Sequence, residues 1–158
     1  MTKILFVCHG NICRSPMCQF VMQKLVEERG IENQFLIESA ATSTEEIWNG
    51  VGNPVYPPAR EELKKHGISC EGKRAVRLKK SDYDHYDYLI GMDQYNVRNI
   101  ELMTGHTGGK IHMLLEFCGS QETIPDPWYT GDFESTYRDI VRGCEAFLDF
   151  LEKQGKIQ

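Results

Sequence analysis

The stretch Lys3-Ile4-Leu5-Phe6-Val7-Cys8-His9-Gly10-Asn11-Ile12-Cys13-Arg14-Ser15-Pro16 decides the architecture of this chain. The apolar residues 4–7 are too few for a signal-peptide core, and Lys3 to Val7 reads as a buried strand. A turn containing Gly10 follows. Ser15-Pro16 then opens a helix, because serine is a favoured N-cap and proline suits the first helical position, where an N–H would have no partner. Met17, Phe20, Val21, Leu25 and Val26 recur at helical spacing up to Gly30, a natural stop. The first unit is therefore strand, loop, helix.

The same alternation runs through the rest of the chain. Strands are expected over residues 35–41, 88–92 and 111–115, and helices over 58–66, ended by Gly67, over 95–103 and over 133–153. The last helix gathers Tyr137, Ile140, Val141, Cys144, Phe147, Leu148 and Leu151 on one side. Alternating strands and helices imply right-handed crossovers around a parallel sheet. The fold class is α/β, a three-layer sandwich with a central four-stranded parallel sheet flanked by helices, forming a single domain over residues 1–158. Ligands in such sheets sit outside the carboxyl ends of the strands. The 8–14 loop lies there, as do two long connections, 42–57 with Trp48 and Tyr56, and 119–132 with Pro125-Asp126-Pro127-Trp128-Tyr129.

Composition narrows the chemistry. With 158 residues, 41% of them hydrophobic and 26% charged, the chain has the make-up of a globular domain and buries roughly 70% of its unfolded surface without help from a disulfide or metal. It has no apolar run of about 18 residues, so no membrane insertion is expected. Its six cysteines form no CxxC pair and follow no export signal, which points to a reducing, cytoplasmic setting. The five histidines lack ligand spacing and there is no HExxH, so neither a metal nor a cofactor is expected. A net charge of -5 argues against a nucleic-acid partner. Any anion site must be local.

The loop supplies one. A short curl from strand to helix points successive backbone N–H groups inward, forming an anion nest capped by a helix N-terminus. Gly10 offers the freedom for the positive φ such a curl needs, and Asn11 tolerates it too. A cysteine at the base of the nest is expected to be held as a nucleophilic thiolate by the inward dipoles and by Arg14. Arg14 presents a planar fork suited to two phosphate oxygens, and Ser15 can give its hydroxyl proton to the Cys8 sulfur or cap the helix. The loop residues His9, Gly10, Asn11, Ile12, Cys13, Arg14 and Ser15 thus form the candidate phosphate-binding set. No GxxxxGK[ST] is present, which excludes a nucleotide P-loop.

With these residues in place, the chain resembles the low-molecular-weight protein tyrosine phosphatases. The resemblance rests on Cys8-x5-Arg14-Ser15, on Ser39-Ala40-Ala41-Thr42-Ser43, on Lys65-His66-Gly67-Ile68 and on Asp126-Pro127-Trp128-Tyr129, and so spans nearly the full length. It implies the flavodoxin-like fold of the phosphotyrosine phosphatase I type. It also implies hydrolysis of phosphotyrosine through a cysteinyl-phosphate on Cys8, with Arg14 holding the phosphoryl group and Asp126 as general acid and base. Asn11, Ser39 and His66 correspond to positions that support the loop. Trp128 and Tyr129 correspond to the aromatic substrate wall, with Trp48 added from the variable loop, and Trp128 departs from the usual tyrosine. Cys13 corresponds to a redox partner that protects the nucleophile as a reversible disulfide. The implied partners are a phosphotyrosine-containing protein and inorganic phosphate or a similar oxyanion, the chain being a monomer with weak self-association through its aromatic rim.

Two relatives of this loop chemistry fit less well. An arsenate reductase of the same architecture needs two further cysteines, and residues 72–117 contain none. A protein-arginine phosphatase carries a threonine where Ile12 stands, and an apolar side chain suits an aromatic phosphoester better than a guanidinium. Cys8, Arg14, Ser15 and Asp126 are all intact, which leaves no lesion to support an inactive phosphotyrosine-binding module.

Overall fold

The computed structural model describes residues 1–158. In chain order the elements are β1 (Thr2–Cys8), α1 (Arg14–Glu28), β2 (Phe35–Ala41), a small hairpin of β3 (Ile47–Trp48) and β4 (Val51–Gly52), α2 (Pro57–Lys65), α3 (Asp82–His85), β5 (Tyr88–Gly91), α4 (Gln94–Thr104), β6 (Ile111–Met113), α5 (Pro127–Thr130) and α6 (Phe133–Lys153). Four strands form one sheet in the order β2-β1-β5-β6, parallel throughout. This is the α/β sandwich expected. Cys8 pairs with Ala41 and Val7 with Gly91, so the loop after β1 leaves the sheet where three strands end together.

Both faces of β1 are covered, which is why residues 4–7 read as an unbroken apolar run. Ile4, Phe6 and Cys8 face the larger core with Met17 and Val21 of α1 and Ile140, Phe147 and Leu151 of α6. Leu5 and Val7 face a smaller core with Leu78, Tyr86 and Ile100 of α4. Phe6 has no exposed surface, and truncating such a residue to alanine costs about 3–5 kcal/mol. Gly91 lets α4 close on the strand end, since a Cβ there would lie 2.8 Å from Asn96 Cβ. Asn96 Oδ1 uses that approach to accept from the Met92 N–H at 2.9 Å.

Three expectations change. Helix α1 starts at Arg14 with Cys13 at its cap position and no side-chain cap, so Ser15 is not the N-cap. The strand expected over 111–115 ends at Met113, and Leu114–Cys118 turns as a 3-10 helix with Glu116 Oε1 accepting from the Met113 N–H. Leu114 and Leu115 are still fully buried, and that burial produced the strand-like pattern. Residues 74–78, given no element from the sequence, run beside β2: the Ala41 N–H donates to the Val76 carbonyl and the Leu78 N–H to the Ala41 carbonyl. No helix is long and apolar enough to cross a membrane.

Candidate active site

Cys8 ends β1 with 3% of its surface exposed. Its Sγ lies 3.0 Å from Ser15 Oγ and accepts from the Asn11 N–H at 3.3 Å. Asn11 Nδ2 in turn donates to Ser15 Oγ at 2.7 Å. Ser15 therefore accepts a hydrogen bond from Asn11 and keeps its own O–H to donate to the Cys8 sulfur. Asn11, not Gly10, carries the positive φ of the curl, at 59°. Its Oδ1 accepts from the Val76 N–H at 3.1 Å, which compensates the strain of the left-handed backbone by tying the residue to the strip beside β2.

The N–H groups of His9, Gly10, Ile12, Cys13, Arg14 and Ser15 donate to no acceptor within the chain. Four of these residues are buried, and a buried amide without a partner costs about 1–3 kcal/mol. A row of such donors beside a cysteine sulfur and a helix N-terminus is a nest for an oxyanion.

Arg14 is 3% exposed. Its Nη1 donates to Asp93 Oδ2 at 2.7 Å and to the Ile124 carbonyl at 2.8 Å, while Nη2 stands 3.6 Å from Asp126 Oδ2. Burial works against its charge, but Cys8, Asp93 and Asp126 outweigh burial and hold the guanidinium protonated. With Nη1 fixed by two acceptors, the Nη2 and Nε edge is left for a bidentate contact to phosphate oxygens. Asp93 was not singled out in the sequence. It follows β5 and caps α4 by accepting from the Asn96 N–H at 2.8 Å. An aspartate N-cap at the carboxyl end of a parallel strand is the signal that marks it.

Asp126 caps α5, its Oδ1 accepting from the Trp128 N–H at 3.0 Å, with Pro127 at the first helical position. The mouth above the nest, about 120 Å³, is lined by Ile12, Cys13, Glu45, Glu46, Asp126, Trp128 and Tyr129, with Gly10. Trp128 rests on Tyr56, ring centroids 4.6 Å apart. Trp48 sits on the β3–β4 hairpin, 79% exposed, and is not among the residues lining the mouth. His9 reaches Glu45 at 3.0 Å on the rim. Burial first, then the charges of Cys8 and Asp126, push the Cys13 thiol far up, so it stays protonated.

The support expected from Ser39 and His66 is arranged differently. Ser39 Oγ donates to Gln19 Oε1 at 2.6 Å, and its carbonyl accepts from Lys73 Nζ at 3.0 Å. His66 meets the buried carboxylate of Glu62 at 3.0 Å and stacks on Tyr137 at 3.8 Å, joining α2 to α6. Neither hydrogen-bonds Asn11, whose side chain is partnered by Ser15 and Val76.

A family model for the low molecular weight phosphotyrosine protein phosphatases matches residues 3–157. The low molecular weight protein-tyrosine-phosphatase YfkJ of Bacillus subtilis is 35% identical over 99% of this chain and 100% of its own. Its crystal structure superposes with a TM-score of 0.91 over 98% of this chain and 96% of that one, at 36% identity. The low molecular weight protein tyrosine phosphatase of Streptococcus pyogenes gives 0.81 at 39% identity, over 97% and 93% of the two chains. A Drosophila arginine phosphatase gives 0.83 at 30%, over 94% and 97%. The likeness is therefore one of whole chains, and it includes a protein with a different phosphorylated substrate.

Proposed function

The chain belongs to the low-molecular-weight phosphotyrosine protein phosphatase family, and from that premise we propose that it hydrolyses phosphotyrosine monoesters with Cys8 as nucleophile and Asp126 as proton donor and acceptor. The observation that carries this reading is the Cys8 sulfur set among six unpaired backbone donors beside the free edge of Arg14.

In the first step the Cys8 thiolate attacks phosphorus in line, an S–P bond forms and the bond from phosphorus to the phenolic oxygen breaks. The leaving phenolate takes its proton from the Asp126 carboxylic acid. In the second step the Asp126 carboxylate takes a proton from water, the water oxygen bonds to phosphorus and the S–P bond breaks, returning the thiolate and releasing phosphate. Ser15 eases this return by donating to the departing sulfur. Arg14 and the nest amides follow the three equatorial oxygens through both transition states. Ile12, Trp128 and Tyr129 give the mouth an apolar wall for a phenyl ring, which favours tyrosine over arginine as the phosphorylated residue. Cys13, buried beside the nest and held as a thiol, is assigned in this reading the role of resolving thiol for oxidised Cys8.

The test is hydrolysis of para-nitrophenyl phosphate in excess EDTA and fresh reductant, with Cys8→Ser and Asp126→Ala beside the wild type. Turnover in the wild type, none in Cys8→Ser and a fall of about 100-fold or more in kcat for Asp126→Ala are expected. An inactive wild type would overturn the reading.

A further inference from the structure

The catalytic mouth is not the roomiest concavity of this molecule. A cavity of about 530 Å³ lies between α2, the loop that follows it and residues 54–55, within the range of small-molecule sites. Its polar lining is dominated by Arg60, Lys64 and Lys73, and Val55, Ile68 and Cys70 give it an apolar floor. Glu71 stands among the lining residues as the lone acid. The net charge of -5 leaves carboxylates in excess, yet none of these three cations joins an ion pair. Of the two acids on α2, Glu62 is taken by Lys65 and His66, and the exposed Glu61, next to Arg60 in sequence, forms no ion pair with any of the three.

Lys73 is the informative member. It is partly buried, its hydrogen bond goes to the neutral Ser39 carbonyl at 3.0 Å, and burial pushes its ammonium down to about 8. A buried cation is ordinarily paired. This one faces the cavity among two further cations.

Two walls of the cavity continue into the catalytic loop. Ser39, held by Lys73, is in register with Phe6, two residues before Cys8. Val76, three residues beyond Lys73, holds Asn11 Oδ1. On the other wall the Asn53 carbonyl accepts from the Ala75 N–H, and the Tyr56 N–H, next to Val55, donates to the Ile12 carbonyl at 2.9 Å.

We propose that this cavity is a second ligand site, for a small organic anion with an apolar body, and that its occupancy is transmitted to the catalytic loop through Lys73 and residues 53–56. The anionic head pairs with Lys73, Lys64 and Arg60, and the apolar body lies on Val55, Ile68 and Cys70. Glu38 acts on Lys73 by its charge but is hydrogen-bonded by Tyr86 Oη at 2.6 Å and makes no ion-pair contact with it; the ligand supplies that contact, which fixes the ammonium on the Ser39 carbonyl and stiffens the strip that holds Asn11.

The binding arm of the test does not depend on turnover. Nitrogen-15-labelled protein, its nest saturated with orthovanadate, is titrated with 1-naphthoate while backbone amide shifts are followed. Saturable shifts at Ile68, Cys70 and Gly72 are expected, with affinity about tenfold weaker in the Arg60→Ala/Lys64→Ala double variant, a loss of about 1.4 kcal/mol. Without vanadate, saturating naphthoate should change kcat for para-nitrophenyl phosphate by about twofold or more in the wild type and not in the double variant. Shifts confined to Trp128 and Tyr129, or equal affinity in the double variant, would overturn the site. Full occupancy with an unchanged kcat would overturn the transmission, and an inactive wild type would count against the phosphatase reading while leaving the binding arm readable.

Discussion

Arg14 and Asp93, 79 residues apart in sequence, meet at 2.7 Å beneath the phosphate nest. One carboxylate thereby does two jobs, since Oδ2 holds Nη1 of the buried guanidinium and Oδ1 caps α4. The pair fixes which edge of Arg14 is free for substrate.

Asp93→Ala should therefore damage stability and catalysis together. Removing one partner of a buried ion pair costs about 3–5 kcal/mol, reduced here because Ile124 and Asp126 remain beside Arg14. Loss of the cap adds about 1 kcal/mol. Asp93→Asn keeps an oxygen for the Asn96 N–H and should recover most of the stability but not kcat/KM. Urea unfolding and steady-state kinetics on both variants decide the matter. A kcat/KM for Asp93→Ala within about twofold of wild type would remove the positioning role.

His66→Ala separates two accounts of that histidine. The structure gives it to Glu62, which is 4% exposed, and to Tyr137. Stability should fall by about 1–3 kcal/mol as a buried carboxylate loses its hydrogen bond and a stacked ring is removed. The kcat should stay within about twofold of wild type. A large fall in kcat with unchanged stability would restore the loop-supporting role that the resemblance implies.

Residues that touch along the chain were legible in the sequence, and residues that touch only through the fold were not. The unbroken 4–7 run, Pro16 and the helical spacing after it set the first strand, loop and helix, and the spacing from Cys8 to Arg14 marked the nest. The partners of Arg14, Asp93 and the Ile124 carbonyl, come from the ends of other elements, and a carbonyl carries no side-chain signal at all. Ser15 shows a subtler limit. Serine before proline is a cap signal, but the tight curl starts the helix one residue earlier and turns the hydroxyl to Cys8. Lys73 gave no sign in the sequence because a lysine reads as a surface charge until the strip beside β2 buries its stem.

That burial makes Lys73 a pH probe of the fold. Burial pulls its folded value down to about 8, against about 10.4 in the unfolded chain. Between the two the unfolded state binds more protons, so unfolding free energy rises with pH across that window, while below about 8 the fold carries the cost of a poorly solvated ammonium. Allowing for the solvent that reaches a partly buried group, the rise is about 1–2 kcal/mol. Urea midpoints measured at neutral pH and near pH 10 should show it in the wild type and not in Lys73→Met, against the background of other titrating groups common to both. Equal slopes in the two proteins would mean that Lys73 is solvated like any surface lysine.

Cys13 is 5% exposed and held as a thiol by burial, so it does not compete with Cys8 for a phosphoryl group. The role proposed for it comes when the nucleophile is oxidised. Peroxide converts the Cys8 thiolate to a sulfenic acid, its O–O bond breaking and hydroxide leaving. The Cys13 sulfur, giving up its proton, then bonds to the Cys8 sulfur and the sulfenic oxygen departs as water. The disulfide stops further oxidation to the sulfinic acid, which thiol reductants do not reverse. After a brief exposure to peroxide and then dithiothreitol, wild-type activity should largely return, and the fraction recovered by Cys13→Ser should be about tenfold smaller. Mass spectrometry should find a loss of two hydrogens across Cys8 and Cys13 in the wild type and added oxygen on Cys8 in the variant. Equal recovery in the two proteins would show that something other than Cys13 protects the nucleophile.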